Sequence, residues 1–168
     1  MAIPLLVLVM GVSGCGKSSV GAGLAAALGL PFLEGDSLHP PDNIARMAAG
    51  IPLTDEDRRG WLDSIAARLA EAAGQGTGLV VACSALKRAY RDRLRRAAPG
   101  LRIVHLAGTR ELVGGRLATR QGHFMPTTLL DSQFATLEPP DMAEGALVFD
   151  VGMPVSVIVA EAARRLTP

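Results

Sequence analysis

The chain has 168 residues, is 49% hydrophobic but only 4% aromatic, and carries a formal net charge of +1 with two cysteines. The length suits one domain, 1–168, that can bury a proper core. The near-neutral charge excludes recruitment of nucleic acid or an acidic membrane by bulk electrostatics, and two cysteines exclude a disulfide framework or a cysteine metal site. No apolar run reaches the length of a membrane span and the first ten residues lack the basic start of a signal peptide, so a cytoplasmic protein without membrane partners is expected.

In chain order, residues 3–10 are apolar nearly throughout, as befits a central parallel strand covered on both faces. Gly11-Val12-Ser13-Gly14-Cys15-Gly16-Lys17-Ser18 follows at once and matches G-x-x-x-x-G-K-[ST], with a strand before it and a helix after it. The glycines let successive amides point inward at phosphate oxygens, from Gly11 through Ser19. Lys17 is placed to reach the β- and γ-phosphates of ATP, the Ser18 hydroxyl to ligate Mg2+, and the helix N-terminus to favour the anion. A helix over 17–28 stops at Gly29, and residues 31–34 form a short second strand.

The loop Gly35-Asp36-Ser37-Leu38-His39-Pro40-Pro41 follows that strand. Glu34 and Asp36 lie two apart and point the same way in extended chain. A carboxylate between Mg2+ and an acceptor hydroxyl can orient that hydroxyl and take its proton, the role expected of Asp36, with a share in metal binding. His39, held before two prolines, can donate to an anionic or hydroxylated substrate. A short helix over 42–49 precedes Thr54, an N-cap with Asp57 three residues on. The longer helix it opens buries Trp61, Leu62, Ile65 and Leu69 and ends at the glycine-rich turn 74–78. Arg46 and Arg59 on these helices are candidate clamps for a substrate carboxylate.

The third strand, 79–83, ends in Cys83-Ser84, where many phosphate-loop proteins carry a metal-holding Asp; Asp36 is the nearest replacement. Lys17 and Lys87 are the only lysines among 17 basic residues, which singles Lys87 out. Lys87 and Arg91 stand one turn apart on the following basic helix, as a cationic pair toward the substrate. Strand four spans 102–106. The helix from about 110 to 120 carries Arg116 and Arg120 on one face, expected as a cationic lid over about 110–126 that stabilises the transferring phosphoryl group and excludes water. Gly114, Gly115 and Gly122 allow that lid to move. A helix capped by Thr127 or Thr128 turns Leu130, Phe134 and Leu137 inward; a fifth strand spans 147–150 and a last helix 155–166.

Alternating strands and helices predict a parallel α/β sheet wound on both faces, with ligands at the carboxyl ends of the strands. Strands one and three should be neighbours, bringing Cys15 and Cys83 toward each other. The chemistry reads as phosphoryl transfer from ATP to a small acceptor. A nucleotide switch is the competing reading, but no Asn-Lys-x-Asp sequence is present to read guanine.

Together these stretches resemble a family: the Gly11 to Ser18 loop, Gly35-Asp36-Ser37-Leu38-His39-Pro40, Asn43-Ile44 with Met47-Ala48, Pro52-Leu53-Thr54-Asp55-Glu56-Asp57-Arg58 with Trp61-Leu62, Cys83-Ser84-Ala85-Leu86-Lys87 with Tyr90-Arg91-Asp92, Gly122-His123-Phe124, and Gln133-Phe134-Ala135-Thr136-Leu137-Glu138. In this order they are similar to the gluconokinases, small kinases that convert D-gluconate to 6-phosphogluconate. The resemblance implies a three-layer, nucleoside-kinase-like sheet of order 2-3-1-4-5 with a mobile lid, ATP and Mg2+ as cosubstrates, and often a homodimer. It sets Asp36 on the acceptor side, His123 in the lid and the 150–154 turn near the adenine; for gluconate, a polyol with a carboxylate, His39, Ser84, Lys87, Arg91 and Gln133 are the expected donors, acceptors and cations. Glu34 departs from the Asp usual at its position.

Overall fold

The computed structural model describes residues 3–119 and 128–167. Five parallel strands form one sheet in the order β2-β3-β1-β4-β5: β1 Leu6–Met10, β2 Phe32–Glu34, β3 Leu79–Ala82, β4 Arg102–Ala107 and β5 Leu147–Asp150. This is the expected order. The helices are α1 Lys17–Leu28, α2 Pro41–Ala48, α3 Asp55–Gln75, α4 Arg88–Ala97, α5 Arg110–Thr119, α6 Thr128–Thr136 and α7 Val155–Leu166.

Side chains alternate across a strand, so the fully apolar β1 feeds two cores at once. Val7 and Val9 join Val20 and Leu24 of α1 with Ile158 and Ala162 of α7 on one face. Leu6, Leu8 and Met10 join Trp61, Ile65 and Leu69 of α3 with Leu94 of α4 on the other. β1 and β3 are neighbours, as expected, while Cys15, in the loop after β1, packs in the first core and Cys83 in the second. Both thiols are buried; burial pushes Cys83 up to about 12 and Cys15 upward as well, so neither is a reactive thiolate.

Local signals explain the element ends. Thr54 and Asp57 form a reciprocal capping box at the start of α3, the Thr54 hydroxyl accepting from the Asp57 amide at 3.1 Å and the Asp57 carboxylate from the Thr54 amide at 2.9 Å. α3 runs two residues into the expected turn, through Gln75, and stops at Gly76 with φ 70°. The expected loop after β2 winds instead into a 3-10 turn over Gly35–Leu38. A Cβ at Gly35 would sit 2.4 Å from the Ala82 carbonyl oxygen, so a larger residue there would push the turn away from β3.

Candidate active site

The carboxyl ends of β1, β2 and β3 converge on one pocket. β1 delivers the glycine-rich loop, whose Gly16 caps α1 at φ 96°, a conformation that glycine alone adopts cheaply. Cys15 packs under this loop, Ser18 and Ser19 lie in the first turn of α1, and the Lys17 ammonium rests 3.0 Å from the Val12 carbonyl at the pocket wall. The Ser13 amide donates to Gln133 Oε1 at 2.6 Å, joining the loop to α6.

Opposite Lys17 stand Asp36 and His39, delivered by the turn after β2. Trp61 holds both in place. Its indole N–H donates to the Gly35 carbonyl at 2.8 Å, and its ring stacks on His39 with centroids 4.1 Å apart. Asp36 carries no hydrogen bond to its carboxylate among the described residues. Ser84, which follows β3, and Gln133 complete the expected part of the wall.

The structure adds a second carboxylate to the expected metal pair of Ser18 and Asp36. Ser18 donates its hydroxyl to the Glu34 carboxylate, not to Asp36, and the second oxygen of Glu34, Oε1, is buried with no partner. A buried carboxylate oxygen left unpaired is costly unless a cation completes it, so Ser18 and Glu34 fit a divalent ion.

Four of the cationic candidates lie away from the pocket wall. Arg91 is fully buried, with all five donors spent: Nε and one terminal nitrogen on Glu144, the others on the carbonyls of Ala85, Leu86 and Glu138. No donor remains for a substrate. Lys87 pairs with Asp55 at 2.9 Å, outside the pocket wall. Arg46 pairs with Asp57 at 3.4 Å and Arg59 with Glu56 at 3.1 Å, both outside that wall.

The guanidinium that does line the pocket is Arg58, donating to the Tyr90 hydroxyl at 3.0 Å and lying 5.6 Å from the Tyr90 ring centre. Sequence reasoning missed it, although the α3 stripe signalled it. Residues 58, 61, 62, 65 and 69 follow the buried helical spacing, whereas 59 is turned about 100° away.

A second cleft runs from Cys15 and Gly16 past Arg116 to Val151, Met153 and Pro154. Arg116 donates to the Val151 carbonyl at 2.6 Å, which places it beside the loop on the side of the 150–154 turn. Arg120 and His123 lie outside the described residues.

Burial pushes the His39 pKa down to about 4, with Arg58 also lowering it and Asp36 opposing. The unfolded imidazole titrates near 6.5, so between these values only the unfolded chain takes the proton and stability falls as pH falls. Hydrogen bonding from Arg91 holds Glu144 down at about 2, against an ordinary 4.5, which adds a second loss as pH falls below about 4.5. The melting midpoint should therefore decline in two stages on acidification. His105, likewise pushed down by burial, loses stability in the same window, so His39→Gln should shrink the first stage and leave the second; an unchanged first stage would assign it to His105 alone.

Comparison with known proteins decides among kinases of this fold. A family profile described as an AAA domain matches residues 6–140. A gluconokinase from Gluconobacter oxydans (strain 621H) is 50% identical over 137 residues, covering 82% of this chain and 77% of that protein. The thermoresistant gluconokinase of Escherichia coli (strain K12) is 45% identical over 154 residues, covering 90% and 87%. The chain belongs to the gluconokinase family. The crystal structure of a gluconokinase from Sinorhizobium meliloti 1021 superposes with TM-score 0.88 at 50% identity, covering 99% of this chain and 93% of that one. Both clefts take residues of the glycine-rich loop into their walls, Ser13 and Lys17 in the first and Cys15 and Gly16 in the second.

Proposed function

We infer that the Asp36 pocket is where D-gluconate accepts the γ-phosphoryl group of ATP on its 6-hydroxyl, giving 6-phosphogluconate and ADP by direct transfer. The single observation that carries this is the meeting of Lys17, Asp36 and Arg58 in one pocket wall: a phosphate ligand, a carboxylate beside the acceptor and a cation for the acid. Lys17 and the loop amides hold the triphosphate. Asp36 orients the 6-hydroxyl and takes its proton as the new bond forms. The gluconate carboxylate lies toward Arg58, and Ser84, His39 and Gln133 meet its hydroxyls. Ser18 and Glu34 would hold Mg2+, which when bound offsets the charge developing on the phosphates. Arg116, together with Arg120 and His123 in a lid over about 110–126, is the cationic cover. The reading takes 1–168 as one kinase domain acting in the cytoplasm, as a homodimer. Among the described residues no helix is long and apolar enough to cross a membrane.

ADP release measured against a panel of acceptors tests this. Gluconate should be turned over, while sorbitol, which lacks the carboxylate, and shikimate should be poor. Arg58→Gln should raise the KM for gluconate by about tenfold, the weight of one charge-assisted contact, whereas Arg59→Gln should leave it unchanged. Equal or better turnover with shikimate would overturn the substrate assignment.

A further inference from the structure

We propose that Asn43 is a positioning residue: it fixes His39 in the neutral tautomer protonated on Nε2, so that the ring offers the acceptor pocket a hydrogen-bond donor and no charge. The proposal rests on the gluconate reading for its consequence, but not for its geometry.

Asn43 sits in the first turn of α2 and is only 4% exposed. Its amide nitrogen lies 2.8 Å from the backbone carbonyl oxygen of Asp57 and 3.2 Å from His39 Nδ1. A carbonyl oxygen can only accept, so the atom facing Asp57 must be the amide nitrogen; the reversed amide would set two oxygens against each other. That nitrogen has two hydrogens, one for each neighbour. Nδ1 therefore accepts, and in a neutral ring the proton must be on Nε2.

The ring cannot easily escape this arrangement. It is stacked on Trp61 with an interplanar angle of 14°, and Trp61 is itself tied to the Gly35 carbonyl. A second proton on Nδ1 would point a donor at the Asn43 donor, so the imidazolium is disfavoured by geometry as well as by burial. Among the described residues no protein group bonds Nε2, and the ring lines the acceptor pocket between the charges of Asp36 and Arg58. His39 is thereby suited to a hydroxyl of the polyol, leaving recognition of the carboxylate to Arg58. Nothing in the sequence marks Asn43 for this role. Its link to Asp57 spans α2 and α3, so the tautomer depends on how these two helices pack.

Two measurements test the proposal. Nitrogen-15 spectra of histidine-labelled protein at pH 7.5, recorded without acceptor, should show His39 with a protonated Nε2 and a bare Nδ1. A protonated Nδ1 overturns it. The second is a pair of substitutions read by KM for gluconate. The Gln side chain places its amide N–H near the position of Nε2, whereas Asn reaches only the position of Nδ1. His39→Asn should raise KM about fivefold or more beyond His39→Gln, the weight of one hydrogen bond. Asn43→Asp, whose carboxylate draws the proton to Nδ1, should raise KM about tenfold, and the effect should fall on KM rather than kcat. Equal KM values for the two His39 variants would overturn the donor role even if Asn43→Asp failed to fold. If the unmutated chain did not phosphorylate gluconate, the functional reading would fall, while the ring spectrum would still decide the tautomer.

Discussion

Asp36→Asn should lower kcat for gluconate by about 10²- to 10⁴-fold while the KM for ATP changes by less than about threefold. The magnitude is that of a lost general base. Asn keeps the volume and leaves the turn undisturbed, because the Asp36 carboxylate accepts no hydrogen bond among the described residues and the turn is closed by its backbone, His39 N–H to the Asp36 carbonyl at 3.2 Å. What Asn lacks is the negative charge and the ability to take a proton. The partner experiment is Glu34→Gln, on the carboxylate that meets Ser18. It should raise the Mg2+ concentration needed for half-maximal rate by about tenfold, in the range seen when a metal's supporting groups are removed. The two variants thus separate two carboxylates only two residues apart. If Asp36→Asn also abolished ATP binding, metal retention would be its main work, and the division of labour with Glu34 would fail.

That division shows which parts of the site could be read from residues alone. The glycine-rich loop, the parallel sheet and the placement of Asp36 and His39 are local or topological: motif, flanks and the alternation of strand and helix contain them, whereas the strand order comes only with the family resemblance. The partner of Ser18 is not local, since it depends on how far one extra methylene carries the Glu34 carboxylate toward α1. Arg58 was legible in the spacing of the α3 stripe, but a cation on an otherwise apolar face reads as surface until Tyr90 is seen to receive it. Lys87 stood out for its rarity in the composition, yet its charge is matched by Asp55, 32 residues away in sequence. Arg91 is the extreme case. Its partner Glu144 lies 53 residues on, in a three-residue 3-10 turn with no periodic signal of its own.

Arg91→Ala should cost about 3–5 kcal/mol of folding stability, a large share of the roughly 5–15 kcal/mol that such a domain has. The side chains of Arg91 and Glu144 are 0% and 2% exposed, so the ion pair is shielded from water and salt. Removing the guanidinium leaves a buried carboxylate with only Arg95 beside it, and strips the carbonyls of Ala85, Leu86 and Glu138 of a shared donor. At this chain length the melting midpoint should fall by about 10 °C. Arg59→Ala, which breaks only an exposed pair with Glu56, should cost less than about 0.5 kcal/mol. Replacing both buried partners, as Arg91→Met with Glu144→Leu, should recover part of the loss, because an apolar pair has no charge to desolvate. It should not recover the activity. Ala85 has φ 43°, a costly conformation for a residue with a Cβ, and it lies between Ser84 and Leu86, both in the pocket wall. Arg91 bonds the carbonyls of Ala85 and Leu86, so it helps to hold the strained backbone that presents Ser84 to the acceptor. A double variant that regained both its melting midpoint and its KM for gluconate would show that the backbone holds this shape unaided.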